Sequence, residues 1–109
     1  MNVLSLFDGM SCGQLALNKA GVEYENYFAS EIDKAAMSVT QTNFPKTVQL
    51  GSVTELSADS LPSIDLLIGG SPCQSISNLG DGSGLEGKSG LFYHYVRLKN
   101  HLNPKHFIL

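Results

Sequence analysis

Short apolar segments alternate along this chain with segments of helix-forming residues, and this alternation limits most strongly the folds it can adopt. Each apolar segment spans four to seven residues, which is a typical strand length. Strands that alternate with helices predict an α/β fold in which a parallel sheet carries helices on both faces. Gly21 and Asp33 are predicted to end the first helix and to cap the second. The predicted strands are residues 3–7, 24–30, 47–50, 65–68 and 105–109, and the predicted helices are 13–20, the segment from Asp33 to Asn43-Phe44-Pro45, and 91 to about 102.

Composition excludes several classes of protein. The 109 residues include 7 Lys+Arg and 10 Asp+Glu, a net charge of −3, so binding to nucleic acid by bulk positive charge is not expected. No apolar run approaches a membrane span, and the start of the chain lacks the basic region of a signal peptide. We therefore expect a single cytoplasmic domain that makes no membrane contact. The 2 cysteines and 3 histidines form no ligand pattern, so no metal site is expected and the thiols should be free.

Two clusters follow predicted strands, where parallel sheets bind their ligands. The first, FDGMSCG, runs from Phe7 to Gly13, and its glycines allow the backbone to approach a ligand. It lacks both the GxGxxG and the GKS/T patterns of phosphate binding, so an ordinary βα turn remains an equal alternative. Glu31 follows the next strand, where an acid can hold the two ribose hydroxyls. A turn that lacks a phosphate-binding motif, together with an acid that can bind a ribose, suits a nucleoside-like cofactor without a diphosphate, such as S-adenosylmethionine.

The third cluster, GGSPCQ, spans residues 69–74 and presents a thiol directly after a strand. Cys73 is a candidate nucleophile if neighbouring donors or cations lower the pKa of its thiol. The alternative for a lone cysteine is a small buried hydrophobe, which suits Cys12 better than Cys73. The segment at residues 78–90 is rich in glycine and polar residues and is predicted to be a mobile loop.

These clusters together resemble the DNA cytosine-5 methyltransferases over the whole chain. GGSPCQSIS is similar to their catalytic stretch, FDGMSCG to their cofactor turn and ASEID to their acidic strand end. SGLF resembles the segment that closes the loop after the nucleophile. Gly51-Ser52-Val53 falls where the family usually has Gly-Asp-X. The resemblance implies a Rossmann-like S-adenosylmethionine-dependent methyltransferase fold that stops before its last strands.

The resemblance also implies a role for each matching residue. Cys73 would add as a thiolate to carbon-6 of a flipped-out cytosine, and Glu31 would hold the cofactor's ribose. Ser52 would accept a hydrogen bond from the adenine more weakly than the family's aspartate, on the order of 1 kcal/mol. Gln74 and Ser77 belong to the loop that closes on DNA. The remaining cofactor-binding residues would be Phe7, Asp8, Gly9, Met10, Cys12, Gly13, Ile32, Val53, Pro72 and Leu91.

The chain ends at Leu109 within a strand that is predicted to be buried. In the resembling family a Glu-Asn-Val segment, a target-recognition domain and a C-terminal helix follow. We therefore expect an N-terminal fragment of the catalytic domain that is inactive alone, contacts DNA through the rest of the protein, and self-associates through an open sheet edge. A tRNA-directed member of the same family and a non-catalytic cofactor-binding or partner module remain as alternatives. A redox or metal protein is a more distant one.

Overall fold

The computed structural model describes residues 1–70 and 90–109, which build a five-stranded sheet. All strand pairs are parallel, and the spatial order of the strands is β3-β2-β1-β4-β5. The strands are β1 (Asn2–Leu6), β2 (Asn26–Ser30), β3 (Val48–Gln49), β4 (Leu66–Gly69) and β5 (His106–Ile108). The helices are α1 (Cys12–Lys19), α2 (Lys34–Asn43) and α3 (Leu91–Leu102), with 3₁₀ turns at Val53–Glu55 and Ala58–Ser60.

The ends of the first two helices follow the predicted capping chemistry. The Asp33 side chain accepts hydrogen bonds from the backbone N–H groups of Ala35 and Ala36 at the start of α2. Gly21 has φ +75° just after α1, a conformation that costs glycine little. Both predictions are confirmed.

Helices cover both faces of the sheet, as predicted. On one face, Leu4 and Leu6 of β1 pack in a cluster with Tyr95 and Leu98 of α3. On the opposite face, Val3 packs in a second cluster, against which Leu17 of α1 lies. This alternation is the two-residue period of a strand that is buried on both sides.

Gly13 explains how closely α1 approaches the sheet. A Cβ atom at this position would lie 2.8 Å from Ile68 Cδ1 and 3.3 Å from the Tyr27 hydroxyl. A residue with a side chain would therefore require the Ile68 side chain and the Tyr27 hydroxyl to shift.

Two predictions about burial are wrong. β5 is not buried: Phe107 and Ile108 are 52 % and 61 % exposed, because among the described strands β5 lies at the sheet edge, beside β4. Cys12 is not a buried hydrophobe, because it opens α1 on a solvent-exposed side of that helix. Among the helices of residues 1–70 and 90–109, none has the length and apolar character needed to cross a membrane.

Candidate cofactor site

A pocket of about 150 Å³ lies at the carboxyl ends of the first three strands. Each strand is followed by residues that form part of its wall, and α3 supplies the remaining side. This edge is where an open parallel sheet binds its ligands, next to the point between β1 and β4 where the strand order reverses. The lining residues are Phe7, Ser30, Glu31, Ile32, Gly51, Ser52, Val53 and Leu91.

The turn after β1 has an unusual backbone conformation. Phe7, Gly9 and Ser11 have φ values of +56°, +62° and +66°. A bulky residue such as Phe7 rarely adopts a positive φ, because its Cβ crowds the backbone. Surrounding contacts must hold such a conformation in place, and backbone strain of this kind concentrates at ligand sites.

Hydrogen bonds to the Asp8 carboxylate stabilise this turn. The Asp8 carboxylate accepts bonds from the Ser11 hydroxyl at 2.6 Å and from the Tyr27 hydroxyl at 2.9 Å. Burial, above all, and the negative charge of Asp8 raise the pKa of Tyr27. The phenol therefore stays protonated and remains a donor to the carboxylate.

A second set of polar contacts connects the same turn to its neighbours. Buried Gln14 accepts a hydrogen bond through Oε1 from the Thr47 hydroxyl at 3.0 Å, and the same oxygen lies 3.3 Å from the hydroxyl oxygen of Ser11, whose single proton goes to Asp8. The Thr40 hydroxyl of α2 donates to the Gly9 carbonyl at 3.2 Å. The turn is thus tied to α1, to α2 and to the segment before β3.

Glu31 joins the loops that follow β1 and β2. One carboxylate oxygen accepts from the Gly9 N–H at 2.7 Å, and the other accepts from the N–H groups of Ile32 and Asp33 at 2.9 and 3.0 Å. A carboxylate has about four acceptor positions, so these three bonds leave capacity for a further donor. A ribose hydroxyl is such a donor.

The third wall of the pocket is the segment after β3. Gly51 has φ +83°, and its carbonyl accepts a hydrogen bond from the Ser30 hydroxyl at 2.7 Å. The Ser52 hydroxyl contacts the Thr54 N–H at 3.2 Å and the Thr54 hydroxyl at 2.8 Å. It therefore caps the 3₁₀ turn that places Val53 against the pocket.

The structure brings together six of the residues predicted to bind a cofactor. They form most of the lining of the pocket: Phe7, Glu31, Ile32, Ser52, Val53 and Leu91. Asp8, Gly9 and Gly13 shape the turn behind the pocket instead of lining it. Met10 and Cys12 line a different depression between α1 and α2. The predicted residues Pro72, Cys73, Gln74 and Ser77 lie outside the described residues, as does the predicted loop up to residue 89.

Sequence reasoning missed two lining residues, Ser30 and Gly51, and the residues that support the turn, Tyr27 among them. Ser30 could have been found from its position, because it is the last residue of a strand and directly precedes Glu31, which was already a candidate. Gly51 carries a signal of its own, since a glycine directly after a strand often has a positive φ. Tyr27 gives no local signal, because its partner Asp8 is 19 positions away.

Comparison with known proteins identifies the family. The model of the C-5 cytosine-specific DNA methylase family matches residues 1–109, the whole chain. The chain belongs to this family. S-adenosyl-L-methionine is the methyl donor of the family, so the earlier resemblance and its cofactor are confirmed.

Similar proteins come from phages and bacteria. An orphan methyltransferase, M.Rho11sI, of Bacillus phage rho11s is 39% identical over 99% of this chain and 22% of its own length. The type II methyltransferase M.NgoBV of Neisseria gonorrhoeae is 37% identical over 97% of this chain and 26% of its own length. The chain thus spans about a quarter of the length of these curated relatives.

The fold is that of the Rossmann-like methyltransferases. The crystal structure of a Spodoptera frugiperda DNMT2 mutant aligns with a TM-score of 0.73 and 23% identity, over 94% of this chain and 32% of that one. The S. pombe Dnmt2 methyltransferase aligns with a TM-score of 0.71 and 21% identity, over 94% and 30%. The predicted fold class is confirmed.

Proposed function

We propose that this chain is the N-terminal, cofactor-binding part of the catalytic domain of a DNA cytosine-5 methyltransferase. The observation that carries the proposal is the pocket at the ends of β1, β2 and β3, which six independently predicted cofactor residues line. Relatives named as type II methyltransferases favour DNA over tRNA as the substrate. Bacterial and phage relatives suit a protein that acts in the cytoplasm, within or outside a restriction–modification system.

The pocket fits the adenosine part of S-adenosylmethionine by its chemistry. Phe7, Val53 and Leu91 offer apolar surfaces for a flat base, and Glu31 keeps acceptor capacity for a ribose hydroxyl. Ile32 is 72 % exposed at the rim, where a base would cover it. Pro72, Met10 and the backbone of Gly9 and Gly13 remain predicted neighbours of the rest of the cofactor.

The proposed reaction uses the thiol of Cys73. As a thiolate it adds to carbon-6 of the target cytosine, which makes carbon-5 nucleophilic. S-adenosylmethionine supplies an electrophilic methyl group. Loss of the carbon-5 proton and expulsion of the thiolate then leave 5-methylcytosine. Cys73 follows β4 by four residues in the sequence. The pairing of β4 with β1 fixes the direction of the chain up to the end of that strand.

Cofactor binding is testable on the chain itself. We expect S-adenosylhomocysteine to bind in calorimetry and Glu31→Gln to weaken binding at least about tenfold, because an amide NH₂ would face backbone N–H donors. Glu23→Gln, the same change at an exposed position, should leave binding unchanged. Absence of binding by the unmodified chain, or equal losses in both variants, would contradict the proposal.

We expect no methyl transfer to DNA by the chain alone. A general acid–base group contributes about 10²–10⁴-fold, and the chain spans only about a quarter of its relatives' length. Tritium transfer from labelled S-adenosylmethionine measures this directly. Activity that returns on mixing with the remaining part of a relative, and disappears in Cys73→Ser, would separate an enzyme part from a non-catalytic binding module.

We further propose that the chain self-associates through β5. Within residues 1–70 and 90–109, β5 has a neighbour on one side, and Phe107 and Ile108 are exposed. An open strand edge of this kind is a template for pairing with another chain. Light scattering should show a mass that rises with concentration and falls in Ile108→Lys. Val48→Lys, on the opposite edge strand, is the matched control. A monomeric mass at every concentration would refute this part.

A further inference from the structure

Arg97 of α3 contacts the 3₁₀ turn at Val53–Glu55. Its Nη2 donates to the Val53 carbonyl at 3.2 Å and to the Leu56 carbonyl at 3.0 Å. The two acceptor residues are buried, and they lie at the beginning of the turn and directly after it. One guanidinium nitrogen, which has two hydrogens, thus holds the turn at both ends.

The same turn forms one wall of the pocket. Val53 and the preceding Ser52 line it, and Leu91, from the first turn of α3, lines it as well. Arg97 therefore connects α3, which supplies Leu91 to the pocket, with the wall at Val53, 44 positions before Arg97 in the sequence. It does not line the pocket itself.

We propose that Arg97 is a positioning residue that sets the distance between these walls and thereby the affinity for the adenosine part of the methyl donor. This inference rests on the proposed function of the pocket. When the guanidinium is removed, the Val53 carbonyl keeps the Leu56 N–H as a donor, but the Leu56 carbonyl loses the donor that Arg97 supplies. A buried carbonyl without a donor is costly, so the end of the turn should move toward solvent or another donor. Any such movement carries Ser52 and Val53 with it.

The contacts at this position require an arginine specifically, and another cationic side chain would not make all of them. The Arg97 Nε and Nη2 lie 3.3 and 3.2 Å from Nδ1 of His94, one turn earlier on the same helix. This contact orients the plane of the guanidinium so that Nη2 faces the turn. A lysine ammonium lacks the rigid fork and cannot hold His94 and both carbonyls in this arrangement.

Three variants test the inference. Arg97→Met keeps the apolar stem and removes the donors, and Arg97→Lys keeps the charge. Lys99→Met is the matched control: it removes a charge from the same helix, but its ammonium lies over the Phe107 ring, 4.6 Å from the centroid, away from the turn. Thermal unfolding first establishes that each variant is folded.

The direct readout is amide hydrogen exchange at Glu55 and Leu56. Their N–H groups donate to the carbonyls of Ser52 and Val53 at 3.2 and 3.3 Å, so exchange reports whether the turn is held. The second readout is the calorimetric Kd for S-adenosylhomocysteine.

We expect Arg97→Met to speed exchange at both amides and to weaken binding about tenfold, the factor for one lost charge-assisted hydrogen bond. Arg97→Lys should recover part of both effects, and Lys99→Met should show neither. Unchanged exchange in Arg97→Met overturns the inference, and so does faster exchange with unchanged affinity. If the unmodified chain binds no S-adenosylhomocysteine, the proposed function fails, and the exchange measurement still decides whether Arg97 holds the turn.

Discussion

Replacing Tyr27 by phenylalanine should destabilise the protein by about 2 kcal/mol, the range for a hydrogen bond to a charged group. The change removes the 2.9 Å hydrogen bond to the Asp8 carboxylate and keeps the ring, which is only 2 % exposed. Tyr27 is buried and Asp8 is half-buried, so solvent replaces the lost donor only in part. For a domain of this size the midpoint of thermal unfolding should fall by about 10 °C.

Tyr24→Phe is the matched control for this change. Tyr24 also lies next to β2, and its hydroxyl donates to Asn18 Oδ1 at 2.7 Å, but this bond is exposed. Its loss should cost less than about 0.5 kcal/mol. Urea unfolding followed by far-ultraviolet circular dichroism measures both variants, because the chain has no tryptophan. Equal losses in the two variants would refute a special role for the buried bond.

The alkaline limb of the stability curve gives a second test of the same contact. Burial and Asp8 raise the pKa of Tyr27 above its ordinary value of 10.0 in the folded state. The unfolded chain therefore loses this proton at lower pH than the folded protein, and stability should fall as pH rises above about 10. The fall should be smaller in Tyr27→Phe and should not vanish, because burial raises the pKa of Tyr95 as well.

Three further changes have outcomes that the structure dictates. Gly69→Ala should cost about 1–3 kcal/mol in urea unfolding, since its Cβ would lie 2.7 Å from a backbone carbonyl of β1. Gly70→Ala, whose Cβ would meet no atom of residues 1–70 and 90–109 within 4 Å, should cost little. Ser52→Asp should tighten S-adenosylhomocysteine binding about fivefold in calorimetry, on the basis of ~1 kcal/mol for a charged acceptor, and Ser57→Asp at the equivalent cap of the second 3₁₀ turn should not. Burial and the Arg97 guanidinium lower the pKa of His94, so the free energy of unfolding should fall as pH drops below about 6.5, and less steeply in His94→Gln.

The strand and helix order was predictable because its signals are local. Asp33 and Gly21 stand at helix ends where short-range capping chemistry decides the backbone. The burial of β5 was predicted wrongly, because an apolar strand has the same sequence pattern whether it lies at the centre or at the edge of a sheet. Strand order is a property of the whole fold and not of the segment.

The sequence predicted most of the residues that line the candidate site, but it did not predict the hydrogen bonds that hold them in place. Strand ends and glycines indicate where a ligand can lie, and the family resemblance assigned Glu31 and Val53 to it. The bonds that hold these residues join positions far apart in the chain: Gly9 to Glu31 over 22 positions and Val53 to Arg97 over 44. No periodicity or motif encodes such a pair, so these partners emerge only from the packed structure.

These long-range bonds have a common pattern that bears on what the chain can do by itself. Each loop of the pocket is held by a side chain from a different element: Glu31 holds the turn after β1, Ser30 holds Gly51, and Arg97 holds the turn at Val53. All of these partners lie within residues 1–70 and 90–109. Within the residues that the structure describes, the walls of the pocket therefore support one another, which is why the proposed cofactor binding can be tested on this chain separately from the proposed methyl transfer.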